Sequence, residues 1–587
     1  VLLLMFNFLF NQKWNKIMKY KFKSIFYVLI FMSCQFMFAQ VEQLRQDGAF
    51  DSVCSTGMGP WYFVAPYNTT DPIDLSVDDL SIINQEGVVC FCEGESEFSG
   101  LITAKNNVVL YGNGKAEDII VTPSEGFYFN LISVKKEDLF NLSTIYGPKF
   151  ENIANIDDDL VDISIENITF TNYYSGKDGF PNLFNNSNTQ ELDAFVDCLS
   201  NIDDDYNNLY SPERLDCIEQ FDELGFSAAA SIQVNRPKTN LSLNNVVFKE
   251  FATIATILEY ITNGDLDIKN TVIINNQTKI GLLLLDKFKN LSISNTLITK
   301  NTQSYVYIGG SSDSDIDEPK IHIEGLDVID NRMLTFHIWS RNFKFTGENL
   351  NFEKNKFYLP FMLWASDRTL FNINQFRFVN NTGFEQYIPE GGSAIGFGIN
   401  IGGSGTITDS EFAINTFSGG FILRSNRTIF NESIFKKNKI NMMPFLIYQI
   451  GSLGFKNTTF IDNYFSGSHS HSLPFAIFMP RLLIEHYVSD NPLAYLIDQP
   501  APYTDLQLHE LNLENVKFQE SDTNFASILS VNNWDIFPEI ASRFEDGYPS
   551  VYRMLDEFNS DDIFSIYKFD QINSLNCIYS QNNYICN

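Results

Sequence analysis

Positive charge is scarce in this chain: 40 Lys and Arg stand against 72 Asp and Glu in 587 residues, a formal charge of −32. Nucleic-acid binding needs a basic face that displaces counterions from phosphates, so nucleic acid is excluded as a partner, and polyanionic substrates are disfavoured. Histidine and tryptophan are rare, at 6 and 5, and neither HExxH nor a nucleophile elbow occurs. With 33 Gly and 19 Pro, collagen-like and Pro-rich low-complexity architectures are excluded. After the N-terminal leader there is no apolar run of about 18 residues, the length that spans a bilayer. What is abundant is apolar and amide side chain: 44% hydrophobic residues, 54 Phe and 61 Asn, enough for a large core.

The leader combines Lys19, Lys21 and Lys23 with an apolar stretch from Ile25 to Phe38, ending at Ala39-Gln40. This is the layout of a secretory signal peptide over residues 1–39, with Met18 as the true start; a short membrane anchor is the alternative. Its removal takes five lysines with it and the formal charge to −37. Seven cysteines follow, at positions 54, 90, 92, 198, 217, 577 and 586, a number that fits an oxidising compartment but leaves one over. Cys198 and Cys217 are expected to pair across an acidic insertion, Cys577 with Cys586, and Cys54 with Cys90 or Cys92, the leftover thiol pairing beyond the chain. Cys90-Phe91-Cys92 is not CxxC, so neither zinc nor thioredoxin chemistry is indicated. Eleven sequons mark candidate N-glycosylation sites at Asn68, Asn141, Asn167, Asn185, Asn240, Asn276, Asn290, Asn380, Asn426, Asn431 and Asn457. About eight are expected by chance from this composition.

The strongest signal is an internal repeat. Segments such as 290–301 (NLSISNTLITKN), 369–381 (TLFNINQFRFVNN) and 427–438 (RTIFNESIFKKN) share one pattern: two alternating apolar stretches split by a polar break, then an apolar residue three before an Asn. The terminal pair recurs as Ile273/Asn276, Ile298/Asn301, Val328/Asn331, Phe352/Asn355, Phe378/Asn381, Phe412/Asn415, Phe435/Asn438 and Phe460/Asn463, with steps of 25, 30, 24, 26, 34, 23 and 25. Residues 162–172, 240–251 and 508–518 look like further units. Period-2 alternation sends every second side chain inward, and a repeat near 25 matches one turn of a parallel β-solenoid. A leucine-rich repeat needs Leu at set positions, and a propeller needs blades near 40 residues; neither pattern is met. In the solenoid the eight Asn form a ladder along the axis at a turn where Asn takes the left-handed conformation, and Phe352, Phe378, Phe412, Phe435 and Phe460 form an inward stack.

At Lys105-Asn106-Asn107-Val108-Val109-Leu110-Tyr111-Gly112-Asn113-Gly114 the chain resembles the first coil of right-handed β-helix proteins of the pectin-lyase-like superfamily. The FxxN endings, with Gly391-Gly392-Ser393-Ala394-Ile395, resemble the FxxN and GGAI repeats of polymorphic-membrane-protein-type adhesins. The resemblance covers residues 100–530. It implies an all-β, right-handed parallel β-helix with loop insertions and terminal caps, a solenoid that serves enzymes and adhesive proteins alike. The expected organisation is leader 1–39, N-terminal cap region 40–104, β-helix 105–530, and a C-terminal cap with the start of a Cys-containing module at 531–587. Residues 474–507 form an excursion, and helical spacing over 536–558 suggests a capping helix.

Catalytic sets are missing. The NTD, DD, GHG and RIK order of polygalacturonase-like hydrolases is absent, and Asn235-Arg236-Pro237-Lys238 is only a fragment of the lyase RxPxxR context. Asp157–Asp159 and Asp203–Asp205 read as solvated loops. Asp313, Asp315 and Asp317, with Glu324 in twelfth place, have calcium-loop spacing, but Glu318 stands where that loop needs Gly; calcium is the one cofactor the sequence allows for. His469 and His471 lack a third ligand, and the Gly-rich stretch 391–405 suits tight turns. The expectation is therefore a secreted or cell-surface β-helix glycoprotein with a binding, adhesive or structural role, its partner a carbohydrate or a cell-surface protein. A carbohydrate-active lyase or hydrolase of the same fold is the alternative.

Overall fold

A computed structural model describes residues 43–55, 87–98, 107–122, 160–171 and most of 232–466. It also describes separate strands at 61–64, 73–74, 100–101, 132–134, 472–473, 475–482, 510–519, 529–536, 560–566, 575–580 and 583–586. The alternating segments form strands, as period-2 patterning requires. One coil is a bent strand such as Asn290–Thr299, a tight turn at Lys300 and Asn301, and a return strand, Thr302–Gly310. The following coils repeat it as Lys320–Ile329 with Arg332–Ser340, and as Lys344–Glu353 with Lys356–Ala365. Like strands pair parallel and in register, Leu291 on Ile321, Phe345 and Phe371 in turn, and Val306 on Phe336 and Phe361. The protein is an all-β parallel β-helix.

The apolar members of the sequence repeat lie one above another. Phe170, Phe248, Ile273, Ile298, Val328, Phe352, Phe378, Phe412, Phe435, Phe460 and Phe518 are successive register partners. Parallel pairing already begins at Gly87–Phe91 on Val108–Gly112, upstream of residue 105. The coil of 34 residues keeps its register because the extra chain leaves the wall, with Glu385–Tyr387 and Ser393–Ile395 pairing antiparallel in a separate two-stranded sheet. Ser393-Ala394-Ile395 of the GGAI-like motif thus stands outside the coil.

Two left-handed positions recur from coil to coil, and neither is a ladder Asn. The first splits the bent strand, at Asn245, Asn270, Asn295, Gly325 and Asn349 in successive coils. Asn and Gly bear this conformation at least cost. The second immediately precedes the ladder position, at Asn275, Lys300, Asp330, Lys354, Asn380, Ile414, Lys437 and Asp462. This corrects the expectation that the ladder Asn itself is left-handed: what selects it is hydrogen bonding.

In that ladder the Oδ1 of Asn301 accepts both the backbone N–H (3.0 Å) and the Nδ2 (2.9 Å) of Asn276. The Nδ2 of Asn301 donates to the carbonyl of Ile273 (2.9 Å), one coil back. The same arrangement links Asn331, Asn355, Asn381, Asn415 and Asn438, and Asn463 closes the row with its Nδ2 on the carbonyl of Phe435. The accepting carbonyl always belongs to the apolar residue three before the preceding ladder Asn, which is the physical content of the F-x-x-N spacing. These amides are buried and satisfy backbone groups that the turn takes out of the strand ladder.

Inside the tube, Phe352, Phe378, Phe412, Phe435 and Phe460 are all buried. From Phe412 onward the rings are nearly parallel, with centroids 4.9, 4.9 and 5.1 Å apart through Phe435 and Phe460 to Phe518. Phe352 and Phe378 are tilted by 35° instead, and Phe376 meets both edge-on. At the N-terminal end the helix Ala49–Cys54 lays Ala49, Phe50 and Val53 on the first coils, where Phe50 meets Val88, Cys90, Val109 and Tyr111. A Cys54–Cys92 disulfide clamps it, and Arg45 lies over the Tyr111 ring while donating to its hydroxyl. This closes an edge that a solenoid must cover.

Candidate functional site

The residues singled out by sequence divide between the interior and the surface. The ladder Asn276, Asn301, Asn331, Asn355, Asn381, Asn415, Asn438 and Asn463 are interior and build the wall. Asn276 is also a sequon, but it is buried and its Nδ2 already donates to Phe248 and Asn301. Asn380 and Asn457 are exposed. Asn240 and Asn290 each donate to an Asp of the preceding coil, and Asn167 accepts from Asn245. Asn431 is half-buried. Asn68, Asn141 and Asn185, and the side chain of Asn426, lie outside the described residues, as do Cys198 and Cys217.

Cys90, left over when Cys54 takes Cys92, is buried, and burial pushes its thiol up to about 12. A protonated, enclosed thiol has no access to a partner beyond the chain. Cys577 and Cys586 are register partners on the antiparallel strands Leu575–Ser580 and Asn583–Cys586. Arg236 is buried, and its carbonyl accepts from Thr262. Asp313, Asp315, Asp317, His469, His471 and both triple-Asp runs lie outside the described residues, and so do 540–558 of the expected capping helix; Ile536 ends a strand, Leu529–Ile536. Glu324 is exposed beside His322. Among the described residues no cluster of metal-ligating side chains occurs, and no helix is long and apolar enough to cross a membrane.

The surface feature with chemical character sits on the outer face of the return strands. Val306 and Ile308 point into the tube, so Tyr305 and Tyr307 point out. Their rings stack at 5.8 Å with an angle of 27°. Register sets His337 on the next coil beside Tyr307. The His337 ring meets Tyr307 edge-on at 5.6 Å, and its Nδ1 lies 3.2 Å from the Tyr305 hydroxyl. Burial lowers the His337 pKa to about 4, so the imidazole is neutral near pH 7, with one nitrogen donating and one accepting. Burial raises both phenols well above their ordinary value, and the Asp286 charge raises Tyr307 further.

Gly309 forms the floor of this cluster. A Cβ there would stand 2.6 Å from Asp286 Oδ1 and 2.8 Å from the Tyr307 hydroxyl, so a carboxylate and a phenol converge over a position without a side chain. Asp286 is oriented by the backbone N–H of Lys287, which donates to Oδ1 at 2.8 Å. The arrangement offers two aromatic faces or edges, an acceptor carboxylate and neutral donors, all held on strands rather than loops. Sequence reading missed it because Tyr-x-Tyr is an ordinary strand pattern. Only the coil step of 30, which carries Tyr307 onto His337, signals the pairing.

On another outer face the side chains pair with one another. Arg377 bridges Asn351, Glu353 and Glu411, and Asn351 donates to Asp327, a zipper of solvated charges across four coils. Arg377 is the first cause of the lowered Glu353 pKa.

No known protein family and no curated protein matches the chain by sequence. Among solved structures it is similar to the catalytic domain of a GH87 alpha-1,3-glucanase in complex with tetrasaccharides, at TM-score 0.28 and 10% identity over 66% of this chain and 63% of that one. It is similar to PfbA, a surface adhesin of Streptococcus pneumoniae, at TM-score 0.28 and 10% identity over 85% of this chain and 90% of that one. The chain spans less than two thirds of the glucanase domain. Likenesses this distant carry neither ligand nor activity across.

Proposed function

We propose that the chain is a secreted or cell-surface β-helix protein with a binding or adhesive role, displaying ligand-contacting side chains on the outer face of its coils. The observation that carries this reading is the Tyr305–Tyr307–His337 cluster: aromatic and polar groups held outward on hydrogen-bonded strands, where a rigid wall lowers the ordering cost of binding. A signal-peptide-like leader, the Cys54–Cys92 disulfide and the acidic charge support placement outside the cell. On this reading N-linked glycans occupy exposed sequons such as Asn380 and Asn457, not Asn276. The finer likeness to pectin-lyase-like and polymorphic-membrane-protein-type β-helices belongs to the same proposal.

The test uses the chain without residues 1–39, labelled and applied to intact cells, extracellular matrix and a polysaccharide panel, with reducing ends and unsaturated products measured in the same wells. Retention without product is the expected result. Product release would turn the assignment to the carbohydrate-active alternative, and absence of retention on every surface would overturn the binding role.

A further inference from the structure

We propose that Tyr305, Tyr307, His337 and Asp286, gathered over Gly309, form a saccharide subsite that takes an uncharged sugar unit. This rests on the binding role proposed above and names its ligand class. The geometry supplies the two halves of sugar recognition. A pyranose presents an apolar C–H face and a rim of hydroxyls. The stacked tyrosines, with centroids 5.8 Å apart, give a surface for the C–H face, since aromatic rings hold apolar faces in offset contact and carry a polar tip. Asp286 Oδ1 and the Tyr307 hydroxyl converge above Gly309, where a carboxylate accepts from sugar hydroxyls and the phenol both donates and accepts. Gly309 is what lets the two groups sit side by side against the strand: a Cβ there would meet Tyr307 Cε1 and Asp286 Oδ1, each at 2.6 Å.

The sign of the charge selects the class of sugar. Asp286 is an anion at the cradle, His337 is buried and neutral, and the whole chain carries −32. A uronate or sulfated unit would meet like charge there, whereas a neutral hexose or pentose meets only dipoles and one acceptor. Neutral groups desolvate at lower cost than ions, and a half-buried cluster of phenols and imidazole suits them. The site lies on hydrogen-bonded strands in three successive coils, so its parts are positioned before ligand arrives.

The test titrates the chain without residues 1–39 with cellotriose, mannotriose and xylotriose, and with trigalacturonate as the charged counterpart, following the His337 ring resonances by NMR and affinity by calorimetry. The expected result is a saturable shift of the His337 signals with at least one neutral trisaccharide and none with trigalacturonate. Asp286→Asn and Tyr307→Ala should each weaken that binding at least about tenfold, the scale of one lost hydrogen-bonding or stacking partner. Tyr305→Phe, which keeps the ring, should weaken it less. If Tyr307→Ala fails to fold, Gly309→Ala, whose Cβ would push Tyr307 and Asp286 out of place, serves as the second block. Neutral-sugar binding that neither moves His337 nor responds to these variants overturns the subsite while leaving the binding role standing. So does retention on cells with no trisaccharide binding at all. Preference for trigalacturonate overturns the charge argument and with it the proposal.

Discussion

Replacing Asn381 with Leu isolates the ladder from the packing around it. The side chain is 0% exposed and makes four hydrogen bonds: its Nδ2 donates to the Phe352 carbonyl (2.8 Å) and Asn415 Oδ1 (3.3 Å), and its Oδ1 accepts the Asn355 N–H (3.0 Å) and Asn355 Nδ2 (3.0 Å). Leu has similar volume and no polar atom. Asn415 Oδ1 keeps the N–H of residue 381, and Asn355 Nδ2 keeps the Val328 carbonyl, so neither is orphaned. The Phe352 carbonyl and the Asn355 N–H lose these bonds in a buried setting. At about 1–3 kcal/mol for each unsatisfied group, the cost is about 2–6 kcal/mol. Because solenoid stability is a sum of neighbouring terms, global unfolding need not be two-state, and the sharper readout is local. Native-state hydrogen exchange should show the Asn355 amide losing protection first, together with amides of the coils on either side. Asn381→Asp is the companion variant: a buried carboxylate facing the Phe352 carbonyl should cost at least as much. Asn355 exchange as slow in Asn381→Leu as in the parent would refute the reasoning, since the carbonyl and amide would then have found other partners.

Phe412→Ala should cost about 3–5 kcal/mol, because its ring fills the tube against Phe435 at 4.9 Å and Phe376 at 5.5 Å and the neighbouring coils are held by their own strand ladders; an unchanged urea midpoint would count against it. Ile414 is β-branched, 52% exposed and left-handed at φ 57°, so Ile414→Gly should stabilise by about 0.5–1 kcal/mol once glycine's own entropy cost is subtracted, and a lower urea midpoint would show the turn is not strained. His337 makes stability pH-dependent. Its folded pKa of about 4 lies below the ordinary 6.5, so the unfolded chain takes up the proton first and stability is full above pH 6.5 and falls toward pH 4. That linkage caps the loss at about 3 kcal/mol, less where water reaches the ring. His337→Gln should flatten this part of the profile in urea titrations at stepped pH, and an identical profile in parent and variant would place the titration elsewhere.

Much of the wall is legible in one dimension. Period-2 alternation, the polar break and the F-x-x-N ending recur at nearly constant spacing, and hydrogen bonds between like strands then admit one register, in which Phe352, Phe378 and Phe412 superpose. Strand pairing in a solenoid is nearest-neighbour, so a local repeat is enough to specify it. What the amides do at the turn is less legible. Asn is chosen at the first bend for its tolerance of a left-handed backbone, as at Asn295, and at Asn301 for its donor and acceptor, and composition alone treats the two as one signal. Likewise Cys54 has two candidate partners two residues apart, and only the docking of the Ala49–Cys54 helix picks Cys92 and encloses Cys90. The outer cluster belongs wholly to the tertiary structure. Tyr305, Tyr307, Asp286, Gly309 and His337 are spread over some fifty residues and carry no common motif, and they meet because coils of unequal length stack at a fixed strand spacing. Repetition writes the wall into every coil, whereas a surface site needs one coil's residue beside another's, and that neighbour relation exists only once the chain has wound.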